Sequence, residues 1–527
     1  MQKLVATSLA SLMFAGTLNN PVAAEAQSGS STPIKHLVVI FQENVSFDHY
    51  FGTYPKALNP PNEPSFAPAA GTPAVNGLTD ALLYSNPNYL NTANGTAAAN
   101  PFRLDRSEAS TADQDHDYMA EQQAFHAGLM DSFPKYTGTP GPPPTGQTTG
   151  GLVMGYYDGN TVTALWNYAQ RFAMSDNSFG TNFGPSTDGA VNLISGQLNG
   201  VSDQVNASAD VVPDGGGGYT LISDADPVGD VCSTTTGAQV AFSGQNVGDL
   251  LNSRGISWGF FEGGFDLTAK NANGTTGCSR STTSAVTMTN KADYIPHHQP
   301  FQYYVSTQNL KHTRPSSPST VGIDGDPANH QYDMHDFYDA INAGNFPTVS
   351  FVKAPGYQDG HAGYSDPLDE QTFVATVVNF LQKQKDWANT AVVVAYDDSD
   401  GWYDHQMGPI VNQSATAMDA LSGTGQCGTG TAALAGVTID HAQGRCGYGP
   451  RLPLLVISPY AKKNYVDHSV TDQTSILRFI EDNWLDGQRI TGSFDALAGK
   501  LNVMFNFKAA PDTTPYILNT STGEPTN

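Results

Sequence analysis

Basic residues are scarce: 24 Lys and Arg stand against 49 Asp and Glu, a formal net charge of -25. That balance offers no diffuse positive field, which excludes sequence-independent nucleic-acid binding. A phosphate-bearing partner must be small or meet a local cationic pocket. Cysteine is sparse too, with four residues in 527. Cys232, Cys278, Cys427 and Cys446 show no CxxC spacing, which argues against a thiolate zinc site. They form an even set in two sequence-local pairs, which predicts the disulfides Cys232–Cys278 and Cys427–Cys446. After the N-terminal stretch nothing is apolar for the ~20 residues a bilayer-spanning helix needs, so no integral membrane span is expected. There is no internal repeat and no GxSxG elbow, and without the elbow a serine–histidine–acid esterase is poorly supported.

The N-terminal stretch MQKLVATSLASLMFAGTLNNPVAAEAQSG sets Lys3 before an apolar run and then small residues. Residues 1–26 are therefore expected to be a secretory signal, cleaved after Ala24 or Ala26, with the product exported to the periplasm or beyond. Residues 27–527 are expected to form one enzyme-sized catalytic body.

Five short apolar runs read as buried parallel strands: Leu37 to Phe41, Ile256 to Phe261, Val349 to Val352, Ala391 to Tyr396 and Leu452 to Ile457. Helical patterns begin at Asp369 (DEQTFVATVVNFLQKQ) and Asp472 (DQTSILRFIEDNW), each acid a plausible N-cap. The alternation predicts an α/β fold with a mainly parallel central sheet flanked by helices. Loop-rich stretches cover residues 55–100, TGTPGPPPTGQTTGG from Thr137, and an insertion at about 202–300.

Chemistry gathers where the runs end. Glu43 and Asn44 close the first, and Asp397 and Asp398 close the run AVVVAY. Ligand sites of α/β sheets lie beyond the carboxyl ends of strands, and two strand ends that each deliver an oxygen pair would build an all-oxygen cation site. The plainer reading is that each pair caps a turn. In DNSFGTNFGPSTDGAVNLISGQ, Ser186 stands just ahead of a helical pattern, where free N–H groups favour an anion; a simple N-cap is the alternative. Five histidines, His116, His297, His298, His361 and His405, sit in Gly-, Asp- and Pro-rich surroundings. Any one of them could be an ordinary surface or core residue, yet in so acidic a chain they are natural donors to a bound phosphate.

Four stretches in order, FQENVSFDHYFGTYP, NFGPSTDGAVNLISGQ, VVAYDDSDGWYDH and GYGPRLPLLVISPYAKKNYVDHSVTDQTSILRFIEDNW, resemble the bacterial phosphoesterase family that contains phospholipases C and secreted acid phosphatases. The resemblance implies an alkaline-phosphatase-like α/β sandwich and a metal-activated hydroxyl nucleophile. It assigns Glu43, Asn44, Ser186, Asp397 and Asp398 to one divalent ion (Ca, Mg, Mn, Zn or Fe). Ser186 matches the nucleophile, and His116, His361 and one of His297 and His298 match the phosphate-contacting histidines, with Asn44 also reaching substrate. The serine in FGPSTDGAVN favours a phosphomonoesterase with an acidic optimum over a phospholipase C acting on lipid head groups, whose members commonly carry Thr there. A sulfatase is disfavoured because no cysteine continues as C-x-P-x-R. A non-catalytic phosphate- or cation-binding exported protein is the alternative from another class. The sequence leaves oligomeric state open.

Overall fold

A computed structural model describes residues 29–143, 148–428 and 443–526; the expected signal, residues 1–26, lies outside them. Eight strands make the main sheet: β1 (His36–Gln42), β2 (Ala173–Ser175), β3 (Trp258–Glu262), β4 (Gln331–Asp333), β5 (Val349–Lys353), β6 (Thr390–Tyr396), β7 (Leu454–Ile457) and β8 (Tyr465–Asp467). Their order across the sheet is β4-β3-β5-β1-β6-β7-β2-β8. β1 is central and pairs in parallel with both β5 and β6. Its sequence HLVVIFQ is buried after His36 because both faces are covered. Alternate residues serve different cores: Val38 and Ile40 belong to one cluster, Leu37, Val39 and Phe41 to the other.

The helices used below are α1 (Phe47–Phe51), α2 (Tyr118–Phe125), α3 (Thr163–Arg171), α4 (Ser186–Ser195), α5 (Val247–Ser253), α6 (Met334–Asn342), α7 (Pro367–Leu381) and α8 (Thr474–Trp484). α3, α6 and α7 pack apolar residues into the first cluster, while α4, α5 and α8 pack into the second. The α/β expectation holds, with one correction. The run at Leu452 to Ile457 yields β7, which is antiparallel to both β6 and β2. No helix lies between β6 and β7 among the described residues, so the chain re-enters the sheet from the edge at which β6 left it.

Helix starts also shift. Asp366, not Asp369, caps α7 by accepting from the Leu368 and Asp369 amides, and Gln473 precedes α8. The stretch 202–300 carries β3 and α5 together with a small sheet of Val201–Val205, Gln239–Phe242 and Asp226–Pro227. Both expected disulfides form, Cys232–Cys278 and Cys427–Cys446.

Candidate active site

Gln42 and Tyr396, the last residues of β1 and β6, are partners in the parallel register, so Glu43 and Asp397 leave the sheet side by side. Asn44 then takes a positive φ of 59°, which turns the chain beyond the strand. The Asn44 amide donates to Asp397 Oδ1 at 2.9 Å and the Asp398 amide to the same oxygen at 2.7 Å. With Oδ1 fixed, Asp397 Oδ2 is buried without a hydrogen-bond partner.

Ser186 reaches this corner on α4, as the first residue of the helix rather than ahead of it, with Pro185 as N-cap. Gly189 permits the approach: a Cβ there would stand 2.2 Å from the Asp397 carbonyl oxygen. Ser186 Oγ lies 2.9 Å from Glu43 Oε2, 3.0 Å from Asp398 Oδ2 and 3.2 Å from Asn44 Oδ1. All five residues proposed as ion ligands are buried, and four of them meet at one hydroxyl.

The charge balance of this corner suits a cation. Burial pushes Asp397 well above the ordinary carboxylate range, with the charges of Glu43 and Asp398 adding to it. Asp398 is pushed up to about 7, again by burial first, though His116 opposes the shift. Burial would raise Glu43 as well, but the Lys353 ammonium beside it holds Glu43 low. Lys353, the last residue of β5, donates its ammonium to Glu43 Oε1 and stands 4.0 Å from Asp397 Oδ2. One lysine does not balance Glu43, Asp397 and Asp398. Converging hard oxygens, an orphaned carboxylate oxygen and surplus buried negative charge fit a divalent ion held by Glu43, Asn44, Ser186, Asp397 and Asp398.

The histidines divide by surroundings. His116 Nε2 lies 3.3 Å from Asn44 Nδ2, and Nδ1 lies 2.9 Å from the Gln114 carbonyl. Burial works against its protonation, but Asp398 and Asp400 carry its pKa well above the usual value. His361 sits 5.8 Å from His116, ring to ring, and burial lowers its pKa. His298 Nε2 lies 3.4 Å from Glu43 Oε2 with no hydrogen-bond partner, and burial holds its pKa well below the usual value. His297 stacks edgewise on His298 and faces Asp226 at 3.5 Å; burial opposes its protonation, while Asp224 and Asp226 raise its pKa. His405 is elsewhere, bound to Asp48 at 2.6 Å beside the fully buried Arg451. Where the resemblance assigns His116, His361 and one of His297 and His298 to one role, the fold favours the cationic form at His116 and His297 and the neutral form at His298 and His361.

Three further residues hold the site together. Glu121 on α2 accepts from Ser399 Oγ at 2.7 Å and from the Gly184 amide at 3.1 Å, tying the loop after Asp398 to the loop before Ser186. Gln473 accepts from the Thr181 amide and donates to the Asp397 carbonyl. Sequence reasoning passed over Lys353, although a lysine closing the buried run VSFV marks a third strand end beside the first two. Nothing local in sequence singles out Glu121 or Gln473, whose partners are remote.

Comparison with known proteins agrees with the four motifs. A non-hemolytic phospholipase C of Burkholderia pseudomallei is 24% identical over 515 residues, covering 95% of this chain and 63% of that protein. Phospholipase C A of Mycobacterium tuberculosis is 24% identical over 517 residues, covering 92% of this chain and 80% of that one. The chain thus spans less than two thirds of the Burkholderia protein. Among solved structures, a protein in the alkaline phosphatase superfamily from Vibrio parahaemolyticus matches over 78% of each chain at 11% identity and a TM-score of 0.28, too remote a likeness to carry an argument. The profile of the Phosphoesterase family matches residues 34–485, and the chain belongs to that family.

Proposed function

We propose that this protein is an exported, metal-dependent phosphoester hydrolase in which Ser186 is the nucleophile. The observation that carries the reading is the placement of Ser186 Oγ within 3.2 Å of oxygens from Glu43, Asn44 and Asp398, delivered by two adjacent strand ends. A divalent ion in that cradle would lower the pKa of the serine hydroxyl and draw charge from the phosphoryl oxygens. The protein's own groups supply the remaining parts. Ser186 Oγ gives up its proton to Asp398 Oδ2, 3.0 Å away, and attacks phosphorus, the ester P–O bond breaks, and the departing alkoxide takes a proton from His116. His116 and His297, favoured as cations, meet the phosphoryl oxygens along with His361 and Asn44. His116, having given its proton to the alkoxide, takes one from the water that hydrolyses the phosphoserine, and Asp398 returns the proton to Ser186.

Within that reaction the serine in FGPSTDGAVN supports a phosphomonoesterase of acid-phosphatase type. The second reading, a phospholipase C cleaving head-group diesters, is favoured by the names of the similar proteins. Two disulfides, and the absence of a helix long and apolar enough to cross a membrane among the described residues, are compatible with export. The test is the purified protein against p-nitrophenyl phosphate, bis-p-nitrophenyl phosphate and phosphatidylcholine, each with and without chelator. Chelator-sensitive release from at least one is expected; inactivity on all three, with a metal bound, would leave a phosphate- or cation-binding protein.

A further inference from the structure

The loop just ahead of the Asp226–Pro227 strand brings one carboxylate, which the chemistry above does not use, onto the residue after Ser186. Asp224 Oδ1 accepts from the Thr187 amide at 2.9 Å and from Thr187 Oγ1 at 2.8 Å. Thr187 follows Ser186, and its amide is among the first N–H groups of α4, which have no partner within the helix and favour an anion. Two residues further on, Asp226 Oδ1 faces His297 Nδ1 at 3.5 Å, so the segment that carries Asp224 runs from the neighbour of Ser186 to one of the histidines proposed to meet the phosphoryl oxygens.

We propose that Asp224 selects substrates by charge: seated on the Thr187 amide beside Ser186, it disfavours phosphomonoester dianions and passes diester monoanions and esters whose phosphoryl group carries a cationic substituent. The inference rests on the hydrolase reading above and deepens it. The physical basis is Coulomb repulsion in a largely buried site, where a second negative charge on the substrate is screened less than in water. A phosphomonoester meets the same filter with one charge fewer as its monoanion, the form present below a second pKa of ~6.

The test uses the full protein, wild type and Asp224→Asn, at a single pH of about 7.5, where a monoester is mostly dianionic. The substrates are p-nitrophenyl phosphate, bis-p-nitrophenyl phosphate and p-nitrophenyl phosphorylcholine, with net charges of about -2, -1 and 0 at that pH. The asparagine keeps a carbonyl oxygen for the Thr187 amide, so the cap survives while the charge goes. The kcat/KM of the dianion relative to the zwitterion is expected to rise about tenfold, with the monoanion in between. A ratio within about twofold of wild type, or an equal fall on all three substrates, would make Asp224 a helix cap only and overturn the inference. Asp224→Ala serves as a second variant: the same graded shift supports charge selection, and loss of soluble protein in both variants would overturn it in favour of a folding role. The hydrolase reading fails separately, if wild type turns over none of the three.

Discussion

Lys353 is ion-paired to one oxygen of Glu43 while the other Glu43 oxygen stands 2.9 Å from Ser186 Oγ. The pair fixes which edge of the carboxylate faces Ser186, and it does so between neighbouring strands, β5 and β1. Lys353→Met keeps the bulk and removes the charge, leaving Glu43 buried among other carboxylates. Breaking a buried pair from one side costs about 3–5 kcal/mol. The variant should melt at a lower temperature when metal-free, and kcat/KM should fall by about tenfold or more at saturating metal. Denaturation curves with and without added divalent ion check the first part, and steady-state kinetics the second.

Asp397 gives a prediction of opposite sign for stability. Asp397→Asn keeps an oxygen for the Asn44 and Asp398 amides and removes one negative charge from the corner. Metal content by elemental analysis should drop, and activity should fall by about a hundredfold or more. The metal-free variant should be at least as stable as metal-free wild type, because its loss relieves repulsion among Glu43, Asp397 and Asp398. Wild-type metal content with wild-type turnover would remove Asp397 from the ion site.

Much of this arrangement was legible before the fold was known, because strand ends announce themselves in sequence. An apolar run that stops at Glu-Asn or Asp-Asp combines two local signals, and both runs proved to be neighbouring central strands. Lys353 closes a run of the same kind but presents one cation where oxygen donors were sought. The antiparallel sense of β7 was hidden because direction depends on how the chain returns to the sheet, not on the composition of LLVI. β2, β4 and β8 are three residues each, too short for any periodicity to show. Glu121 and Asp224 act through partners far away in the chain, so no local pattern marks them.

His49 supplies a pH prediction away from the ion site. Its ring is buried against Trp402 with centroids 4.0 Å apart, Nδ1 lies 2.8 Å from the Gly155 carbonyl oxygen, and burial lowers its pKa to about 3. The unfolded chain takes up a proton on this residue below ~6.5 and the folded one does not. Stability from this group is therefore whole above ~6.5 and is lost as pH falls toward the folded value, by about 1.4 kcal/mol per pH unit. His49→Gln should flatten the slope of unfolding free energy against pH between about 6 and 4 relative to wild type. Parallel slopes in denaturant titrations would show that His49 is already charged in the fold.

The Cys427–Cys446 bridge links cysteines 19 positions apart in the chain, next to Tyr118, whose hydroxyl accepts from the Cys446 amide at 2.9 Å. Cross-links of this loop size stabilise by about 2–4 kcal/mol. The Cys427→Ser/Cys446→Ser double variant should lose stability of that order while retaining most turnover, because the pair does not touch Ser186 or its oxygen partners. Denaturant midpoints and kcat for the double variant check both halves, and non-reducing peptide maps of wild type should show no free thiol.

Ser186→Ala tests the whole chemical reading. The substitution removes the hydroxyl proposed to attack phosphorus and leaves Glu43, Asn44, Asp397 and Asp398 with their other partners intact. α4 keeps its start, since Pro185 is the N-cap and the serine hydroxyl bonds only to side chains of the site. The fold should therefore survive with turnover reduced by about four orders of magnitude or more, the scale seen when a nucleophile is deleted from an interdependent site. Phosphate should still bind, because Asn44 and the histidines remain. Ser186→Thr restores a hydroxyl and adds a methyl group beside the oxygen cluster, so it should recover measurable activity, with diesters affected differently from monoesters. The deciding measurement is covalent: wild type quenched in acid during turnover of a labelled phosphate ester should carry the label on the peptide containing Ser186, and Ser186→Ala should carry none. Label on a histidine peptide, or turnover by Ser186→Ala near the wild-type rate, would move the nucleophile to another group, with His116 and His361 the first to examine.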